Sequence, residues 1–319
     1  MKITTLASYP VPIADAWDTH DSSKFQDYLG CPRYYFLRHV LGLDSPMPNL
    51  DLVFGSAWHA AMEHLLQKGY DPETISEAYE TRFLPIYREV FSEEWDSLNS
   101  PKNPLRAREA LLAYTGRYLD DLERYEVLYT EVTGEVEVLS NLSLVYKLDA
   151  LLRNRETEKI LALEHKTSKN LNDLWLLQWF LSIQLGTYDH ALLWKMGAEN
   201  TEGLIVNGAF FKRVKDDSKA EKHQFERVAV VRTNEQRLVW FSTVRSIFER
   251  LLRDFEGLAS AKESDSVLSC FPLNPKNCSS YARKCQYHDF CLFYPNPIQR
   301  LGVLTNDFVV RFWNPLEAD

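Results

Sequence analysis

Hydrophobic positions recur at helical spacing through most of the first 125 residues. The run from Ser22, SSKFQDYLGCPRYYFLRHVLGL, has this spacing, and Pro32 within it predicts two helical pieces, the second starting near Cys31. The same spacing predicts further helices over residues 54–69, 73–95 and 104–125. Residues 1–125 are therefore expected to form a mostly helical N-terminal region.

The period of the pattern changes to two after residue 125. The segments VTGEVEVLS, LSLVYKLDALLRN and KILALEHKTS alternate or are rich in β-formers, with turn signals between them, and predict a three-stranded meander. A long helix over 172–196, strands over 203–214 and 224–232 and a helix over 234–260 follow. We expect an α/β fold with a mixed sheet flanked by helices over residues 126–262. Residues 263–319 form a third region with weak strand signals, and the three regions are expected to pack as one compact unit.

Composition narrows the class of protein. The chain has 319 residues, of which 45% are hydrophobic and 25% charged, as in ordinary globular proteins. The net charge of −9 argues against a polycation that coats nucleic acid, although a local basic groove remains compatible with it. The pattern contains no secretory signal and no membrane span, so we expect a cytoplasmic protein. Five cysteines in such a protein do not indicate a disulfide framework.

Three charged residues in the meander indicate chemistry. Asp149 lies in the apolar strand YKLDALL, where a carboxylate is costly unless another group compensates it. Glu164 and Lys166 are two apart and point to one face of the next strand, and a hairpin can place Asp149 beside Glu164. A divalent cation such as Mg²⁺ or Mn²⁺ relieves repulsion between adjacent carboxylates, and a lysine can orient a water molecule. The spacing alone also fits a Glu–Lys pair on a solvated strand face.

Two further features are unremarkable when taken separately. His59 lies on the apolar face of a helix in FGSAWHAAMEH, where a lone histidine is usually a structural residue. Gln184 and Tyr188 lie one turn apart on the helix that follows the meander. These three residues become informative only when their order along the chain is considered together with that of Asp149, Glu164 and Lys166.

In this order the residues resemble the PD-(D/E)XK nuclease superfamily, and specifically its RecB-like branch. The resemblance implies that a catalytic Mg²⁺ or Mn²⁺ is bound by three side chains and the main-chain carbonyl of His165; the side chains are those of His59, Asp149 and Glu164. It further implies that Lys166 serves catalysis and that Gln184 and Tyr188 support the active site and DNA contact.

The cysteines form a second pattern. Cys278, Cys285 and Cys291 are spaced C-x₆-C-x₅-C, wider than the usual zinc knuckles, and Cys31 lies far upstream. The layout resembles iron–sulfur RecB-like nucleases, including the CRISPR-adaptation nuclease family, AddB-type subunits and phage-encoded exonucleases. That resemblance implies a 4Fe–4S cluster held by these four thiols. In the commonest spacing of those nucleases the first two C-terminal cysteines are two apart, so this chain departs from it. Zinc with His288, or buried structural cysteines, are the alternatives, and Cys270 is interpreted as a bystander thiol.

The resemblance also implies an activity, namely metal-dependent hydrolysis of phosphodiester bonds. We expect a DNA exonuclease acting on single-stranded or free-ended DNA in recombination, repair or phage DNA metabolism, within a bacterial or phage-infected cell. A catalytically silent DNA-binding or scaffolding subunit, or an endonuclease trimming prespacers or branched DNA, are the alternatives. The chain has no GxxxxGK[ST] motif, so a helicase or recombination protein is an expected partner, and a homo-oligomer stays open.

Basic residues near the predicted site could contact the substrate. The candidates for a basic wall are Lys166, Lys169, Lys212, Arg213 and Lys215. A charge run of this kind also fits a solvated face. Trp175 and Trp179 are expected in the core and not as base-stacking platforms.

Overall fold

The structure, a computed structural model, describes residues 2–213, 223–280, 283–301 and 307–315. The chain forms two compact units. One is made of residues up to 47, residues 134–146 and the residues from 234 onward, and the other is made of residues 48–133 and 147–233. Within the described residues, no helix combines the length and the apolar run that crossing a membrane requires.

Helices make up most of the chain before residue 125. They are α1 (Ser22–Gly30), α2 (Pro32–Tyr35), a π-helical turn (Phe36–Val40), α3 (Leu50–Lys68), α4 (Pro72–Glu77), a second π-helical turn (Ala78–Phe83), α5 (Leu84–Val90), α6 (Pro104–Arg117) and α7 (Asp121–Arg124). A two-residue strand, β1 (Leu43–Asp44), lies between the first π-helical turn and α3. The helical N-terminal part agrees with the prediction from hydrophobic spacing.

Strands and helices alternate in the rest of the chain. They are β2 (Tyr125–Leu139), β3 (Leu142–Asn154), β4 (Ile160–Ser168), α8 (Asp173–Leu177), α9 (Ile183–Met196), β5 (Thr201–Phe211), β6 (His223–Val230), α10 (Asn234–Ser260), β7 (Ser279–Ser280), β8 (Arg283–Lys284), α11 (His288–Phe293) and β9 (Val309–Val310). Short 3₁₀ turns occupy Ile3–Thr5, Asp15–Asp18, Glu93–Trp95, Ala198–Asn200, Pro275–Asn277 and Pro297–Arg300.

The main sheet is mixed and has the order β2-β3-β4-β5-β6. β3 and β4 pair antiparallel, β4 and β5 pair parallel, and β5 and β6 pair antiparallel. The parallel pair requires a crossover, which α8 and α9 supply. A mixed sheet flanked by helices confirms the α/β fold class expected from the alternation of patterns.

Helix α3 is anchored in the apolar core of the second unit. Phe54 and Trp58 pack edge-on against Phe211 of β5, with ring centroids 4.7 and 5.4 Å apart. Tyr114 of α6 packs in the same way on Phe225 of β6, at 5.4 Å. The burial of these large rings fixes α3 and α6 on the sheet, because each fully buried aromatic side chain contributes on the order of 2 kcal/mol.

An aromatic cluster forms the core of the first unit. Phe25 of α1 packs edge-on against Phe248 of α10 at 4.7 Å, and His20 packs on the same Phe248 at 5.1 Å. Phe255 and Phe271 continue the cluster, with their ring centroids 5.3 Å apart. The amphipathic helix α10 therefore holds the N-terminal helices through rings along its buried face.

Several element boundaries differ from those predicted. The helix predicted over 54–69 begins at Leu50, where the Asn49 side chain accepts the amide of Asp51 as an N-cap. The helix predicted over 172–196 is interrupted, because Ser182 caps a new helix by accepting the amide of Leu185. The hydrophobic spacing does not change at either capping residue, so a prediction based on that spacing places the helix boundaries wrongly.

Two more predicted helices were too long. The helix predicted over 104–125 ends at Arg117, and the strand β2 already begins at Tyr125. The helix predicted over 73–95 becomes π-helical over Ala78–Phe83 and ends at Val90. Pro85 follows this π-helical turn and has no amide proton to donate, which explains the local departure from α-helical bonding.

We predict that His20 makes stability fall in acid. Burial lowers the pKa of His20 to about 3, so between pH 6.5 and that value protonation favours the unfolded chain. His20→Phe should reduce the pH slope of the unfolding free energy between pH 6 and 4 by up to about 1.4 kcal/mol per pH unit. Chemical denaturation at several pH values measures this slope.

The matched control is Phe25→Leu, which alters a neighbouring ring and adds or removes no titrating group. It should lower the unfolding free energy by about the same amount at every pH. Parallel curves for His20→Phe and the parent protein would contradict the assignment of a buried neutral His20.

Candidate active site

Two neighbouring strands bring the predicted carboxylates together. The antiparallel register pairs Ala150 of β3 with Leu163 of β4, so Asp149 and Glu164 follow as the next positions of the two strands. The residue exposures are only 8% for Asp149 and 2% for Glu164. Two carboxylates are thus buried side by side, an arrangement that is stable only if other groups compensate their charge.

His59 and the main chain of β4 compensate Asp149. The Nδ1 atom of His59 on α3 lies 3.1 Å from one carboxylate oxygen, and the amide of His165 donates to the other at 2.5 Å. Burial disfavours the Asp149 anion, but His59 and other nearby cationic groups outweigh it, so the pKa of Asp149 lies well below its usual range. Burial also disfavours a charged His59, yet Asp149 leaves the pKa of His59 raised.

Glu164 is compensated on one oxygen only. Its Oε1 accepts from the Lys166 ammonium at 2.5 Å and from the Gln184 amide at 3.0 Å. Its Oε2 is buried and has no hydrogen-bond partner within residues 2–213, 223–280, 283–301 and 307–315. Burial, and then the charge of Asp149, raise the pKa of Glu164 to about 7. This oxygen is therefore the atom of the site whose burial is least compensated.

The helix α9 supports the site from one side. Gln184 donates to the hydroxyl of Tyr188, one turn later, at 2.8 Å, and Tyr188 donates to the main-chain carbonyl of Lys147 at 2.7 Å. The pair thus ties α9 to β3 as well as to Glu164 on β4. Side-chain contacts thus join Lys166, Glu164, Gln184 and Tyr188 in one group and His59 with Asp149 in a second, and the two groups meet at neighbouring positions of β3 and β4.

Of the predicted basic wall, Lys166 contacts Glu164, whereas two other members contact residues outside the carboxylate pair. Lys169 lies 3.4 Å from Asp51 at the start of α3, and Arg213 donates to the carbonyl of Ser100 at 3.5 Å. The buried Lys102, which the sequence analysis did not single out, also pairs with Asp51 at 3.0 Å. Lys215 lies outside the described residues.

The two tryptophans of the α8 region are buried, as expected. Trp175 and Trp179 pack edge-on at 5.2 Å, and Trp175 covers Gly208, which pairs with Lys166 across the β4–β5 ladder. A methyl group at position 208 would come within 2.4 Å of the Trp175 ring. Only glycine at this position therefore allows Trp175 of α8 to lie this close to β5, the neighbour of the strand that carries Glu164 and Lys166.

A polar group behind the site was missed in the sequence. Asn207 of β5 contacts both His165 and Tyr114, and Arg227 of β6 contacts Asn207 and Asp121. The available signal was the same as for Asp149, because Asn207 is a polar residue within the apolar strand LIVNGAFF. Burial lowers the pKa of His165 to about 3, so this ring is neutral at physiological pH.

The donor set fits a divalent cation by its chemistry. Within the described part of the chain, no group of three or more histidine, cysteine, aspartate and glutamate side chains is arranged so that it could hold a metal ion. The donors are instead paired with one another and with Lys166. However, Mg²⁺ and Mn²⁺ accept the oxygen and nitrogen ligands that this site offers. These are the two buried carboxylates and the adjacent imidazole, and one oxygen of Glu164 has no hydrogen-bond partner among the described residues.

A cavity separate from the carboxylate pair is lined by four of the five cysteines. It has a volume of about 440 Å³ and lies in the first unit; its lining includes Cys31, Cys278, Cys285, Cys291 and His288. Burial raises the pKa of the Cys291 thiol to about 12; Arg33 opposes this rise, and the neighbouring thiols add to it. The structure thus brings the predicted one-plus-three set to one cavity.

Cys270 lies elsewhere, buried against Gly257 of α10. Between the two ends of the chain, Arg33 donates to the carbonyls of Leu268, Phe271 and Pro295 at 2.8, 3.0 and 3.2 Å. Asn274 adds two bonds, from its amide to Cys31 Sγ at 3.4 Å and from its side chain to Gly30 at 2.7 Å. These bonds join the segment around Cys31 to the segments around Leu268, Phe271, Asn274 and Pro295 without using the thiols of the C-terminal cysteines.

Comparison with known proteins identifies the family of the chain. No curated protein matches the chain. The family model of the PD-(D/E)XK nuclease superfamily matches residues 22–292, a range that contains all six contacting side chains of the site and the four cysteines of the cavity. This match covers well over half of the 319 residues, and it confirms the superfamily that the order of the motifs indicated. The chain belongs to the PD-(D/E)XK nuclease superfamily.

Proposed function

We propose that the protein is a metal-dependent deoxyribonuclease of the RecB-like branch, acting as an exonuclease on single-stranded or free-ended DNA. The observation that supports this proposal most is that two buried carboxylates lie side by side, Asp149 in contact with His59 and Glu164 in contact with Lys166 and Gln184. A solvated Glu–Lys pair would not be buried, would not contact a glutamine from another helix and would not adjoin a second carboxylate.

Each residue of the site has a proposed role. His59, Asp149, Glu164 and the His165 carbonyl would hold Mg²⁺ or Mn²⁺, which when bound lowers the pKa of a water molecule and offsets charge on the phosphate. Lys166 orients the attacking water and donates a hydrogen bond to it. Gln184 holds the Glu164 carboxylate in place, and Tyr188 holds Gln184.

The substrate is proposed from the surroundings of the site. Lys169 and Arg213 supply positive charge that a phosphate backbone would contact, so binding should weaken as salt is raised. Action in recombination, repair or phage DNA metabolism, with a helicase or recombination protein as partner, is part of the same proposal and rests on the resemblance to the RecB-like branch.

We predict that Lys166→Ala lowers the rate of DNA cleavage by about 10²- to 10⁴-fold, because the attacking water loses its orienting donor. Digestion of end-labelled single- and double-stranded DNA with Mg²⁺, Mn²⁺ or EDTA measures this, and EDTA should abolish cleavage. Lys159→Ala, at the exposed position just before β4, is the matched control and should cleave at the parent rate.

The outcomes separate the candidate functions. Equal cleavage by Lys166→Ala and the parent would place the hydrolytic site elsewhere. DNA binding without cleavage under every metal condition would identify a silent scaffolding subunit. Cleavage of closed circular DNA would identify an endonuclease.

We further propose that the cysteine cavity holds a 4Fe–4S cluster with a structural role, bound by Cys31, Cys278, Cys285 and Cys291. The support is that these four thiols line one cavity while Cys270 does not. A cluster joining Cys31 to the C-terminal cysteines closes a loop of more than 200 residues, which by analogy with a disulfide is worth about 5 kcal/mol.

We predict that Cys31→Ser purifies without the brown colour and with less than a tenth of the parent's iron and sulfide. It should also unfold at a lower temperature. Cys270→Ser, the matched control, should keep colour, iron and stability, as measured by metal analysis and thermal unfolding. Stoichiometric zinc without iron in the parent protein would show that the cavity holds zinc and not a cluster. Loss of iron in Cys270→Ser would show that the proposed ligand set is wrong.

A further inference from the structure

A row of polar side chains crosses three strands behind the candidate active site. The ladder pairs His165 of β4 with Asn207 of β5, and Asn207 with Arg227 of β6. His165 and Asn207 are 1% and 2% exposed. Polar groups buried to this degree are stable only when hydrogen-bonded, so the directions of their bonds are determined by which atoms can donate.

Arg227 is fixed at the outer end of the row. Its guanidinium donates to Asp121 at 2.8 Å and to the Tyr114 hydroxyl at 2.9 Å, and lies 3.7 Å above the centre of the Tyr118 ring. The remaining Nε–H donates to Oδ1 of Asn207 at 3.1 Å. A guanidinium can only donate, so the oxygen of the Asn207 amide must face Arg227.

This orientation determines the proton on His165. With its oxygen toward Arg227, the amide of Asn207 presents its NH₂ to Tyr114 at 2.7 Å and to Nδ1 of His165 at 2.8 Å. An NH₂ group can only donate, so Nδ1 must accept and the ring proton resides on Nε2. Nε2 is buried and has no protein partner among the described residues.

The same residue carries two main-chain groups of the site. The amide of His165 donates to Asp149 at 2.5 Å, and its carbonyl is the proposed main-chain metal ligand. The two groups belong to the peptides on either side of the His165 Cα, so a shift of that Cα would displace both the amide that bonds Asp149 and the carbonyl. Hydrogen bonds that fix the His165 side chain therefore also hold its amide and its carbonyl in place.

We infer that Asn207, oriented by Arg227, is a positioning residue for the nuclease site. It holds the His165 imidazole in the Nε2–H tautomer and thereby fixes the peptide that orients Asp149. The catalytic consequence rests on the proposed nuclease function, whereas the tautomer does not.

The first test needs no variant. At pH 7.5, long-range nitrogen–proton NMR of the ¹⁵N-labelled, metal-free protein should show His165 as the Nε2–H tautomer. Detection of the Nδ1–H tautomer in the parent protein would overturn the inference, whether or not the protein cleaves DNA.

The second test reverses one bond direction. Asn207→Asp has almost the same shape but cannot donate, so His165 should change to the Nδ1–H tautomer. The kcat for DNA cleavage should fall 10- to 100-fold, the range for outer partners of metal ligands, with KM for DNA changed less than twofold.

The matched control is Tyr114→Phe, which removes the acceptor of two bonds in the same row and leaves Asn207 free to donate to His165. It should keep the Nε2–H tautomer and the parent kcat below its unfolding temperature. Equal losses of kcat in both variants would reduce Asn207 to a structural residue. If the parent protein never cleaves DNA but Asn207→Asp still changes the tautomer of His165, the positioning role is retained and the proposed nuclease function is rejected.

Discussion

Burial of two carboxylates on adjacent strands is the constraint on which the rest of the second unit depends. Asp149 and Glu164 repel each other and lack bulk water, and the groups that compensate them come from separate elements. His59 comes from α3, the His165 amide from β4 and Gln184 from α9. These three elements must therefore be placed correctly before either carboxylate is stable. The core rings that anchor α3 on the sheet thus also hold His59 in the position where it compensates the charge of Asp149.

The sequence predicted the parts of this arrangement that depend on local periodicity. Glu164 and Lys166 share a strand face because the side-chain period is two, and Gln184 and Tyr188 meet because they are one helical turn apart. The contact of His59 with Asp149 joins residues 90 positions apart, and only the order of motifs within a known family indicated it. No local pattern contains such a contact.

Other parts could not be predicted because they depend on register or on capping. Asn207 is opposite His165 only because β5 pairs with β4 in parallel in one particular register, which neither strand specifies alone. The turn before Ser182 interrupts an apolar run without changing its spacing, so the hydrophobic pattern read as one helix. Tyr125 begins a strand directly after a helical segment, and its apolar ring fits both patterns.

The bonds of Arg33 have a consequence for the order in which the protein can be assembled during translation. Its guanidinium donates to carbonyls that lie 235 to 262 positions later in the chain. Phe271, from the same late segment, packs on Phe36 and Phe255. At roughly 5–20 residues per second, the ribosome needs about ten to fifty seconds to reach them. During that interval α2 carries a cation and aromatic rings without their final neighbours. The rings that Phe271 covers in the folded protein therefore stay exposed to water until the C-terminal segment has been synthesised.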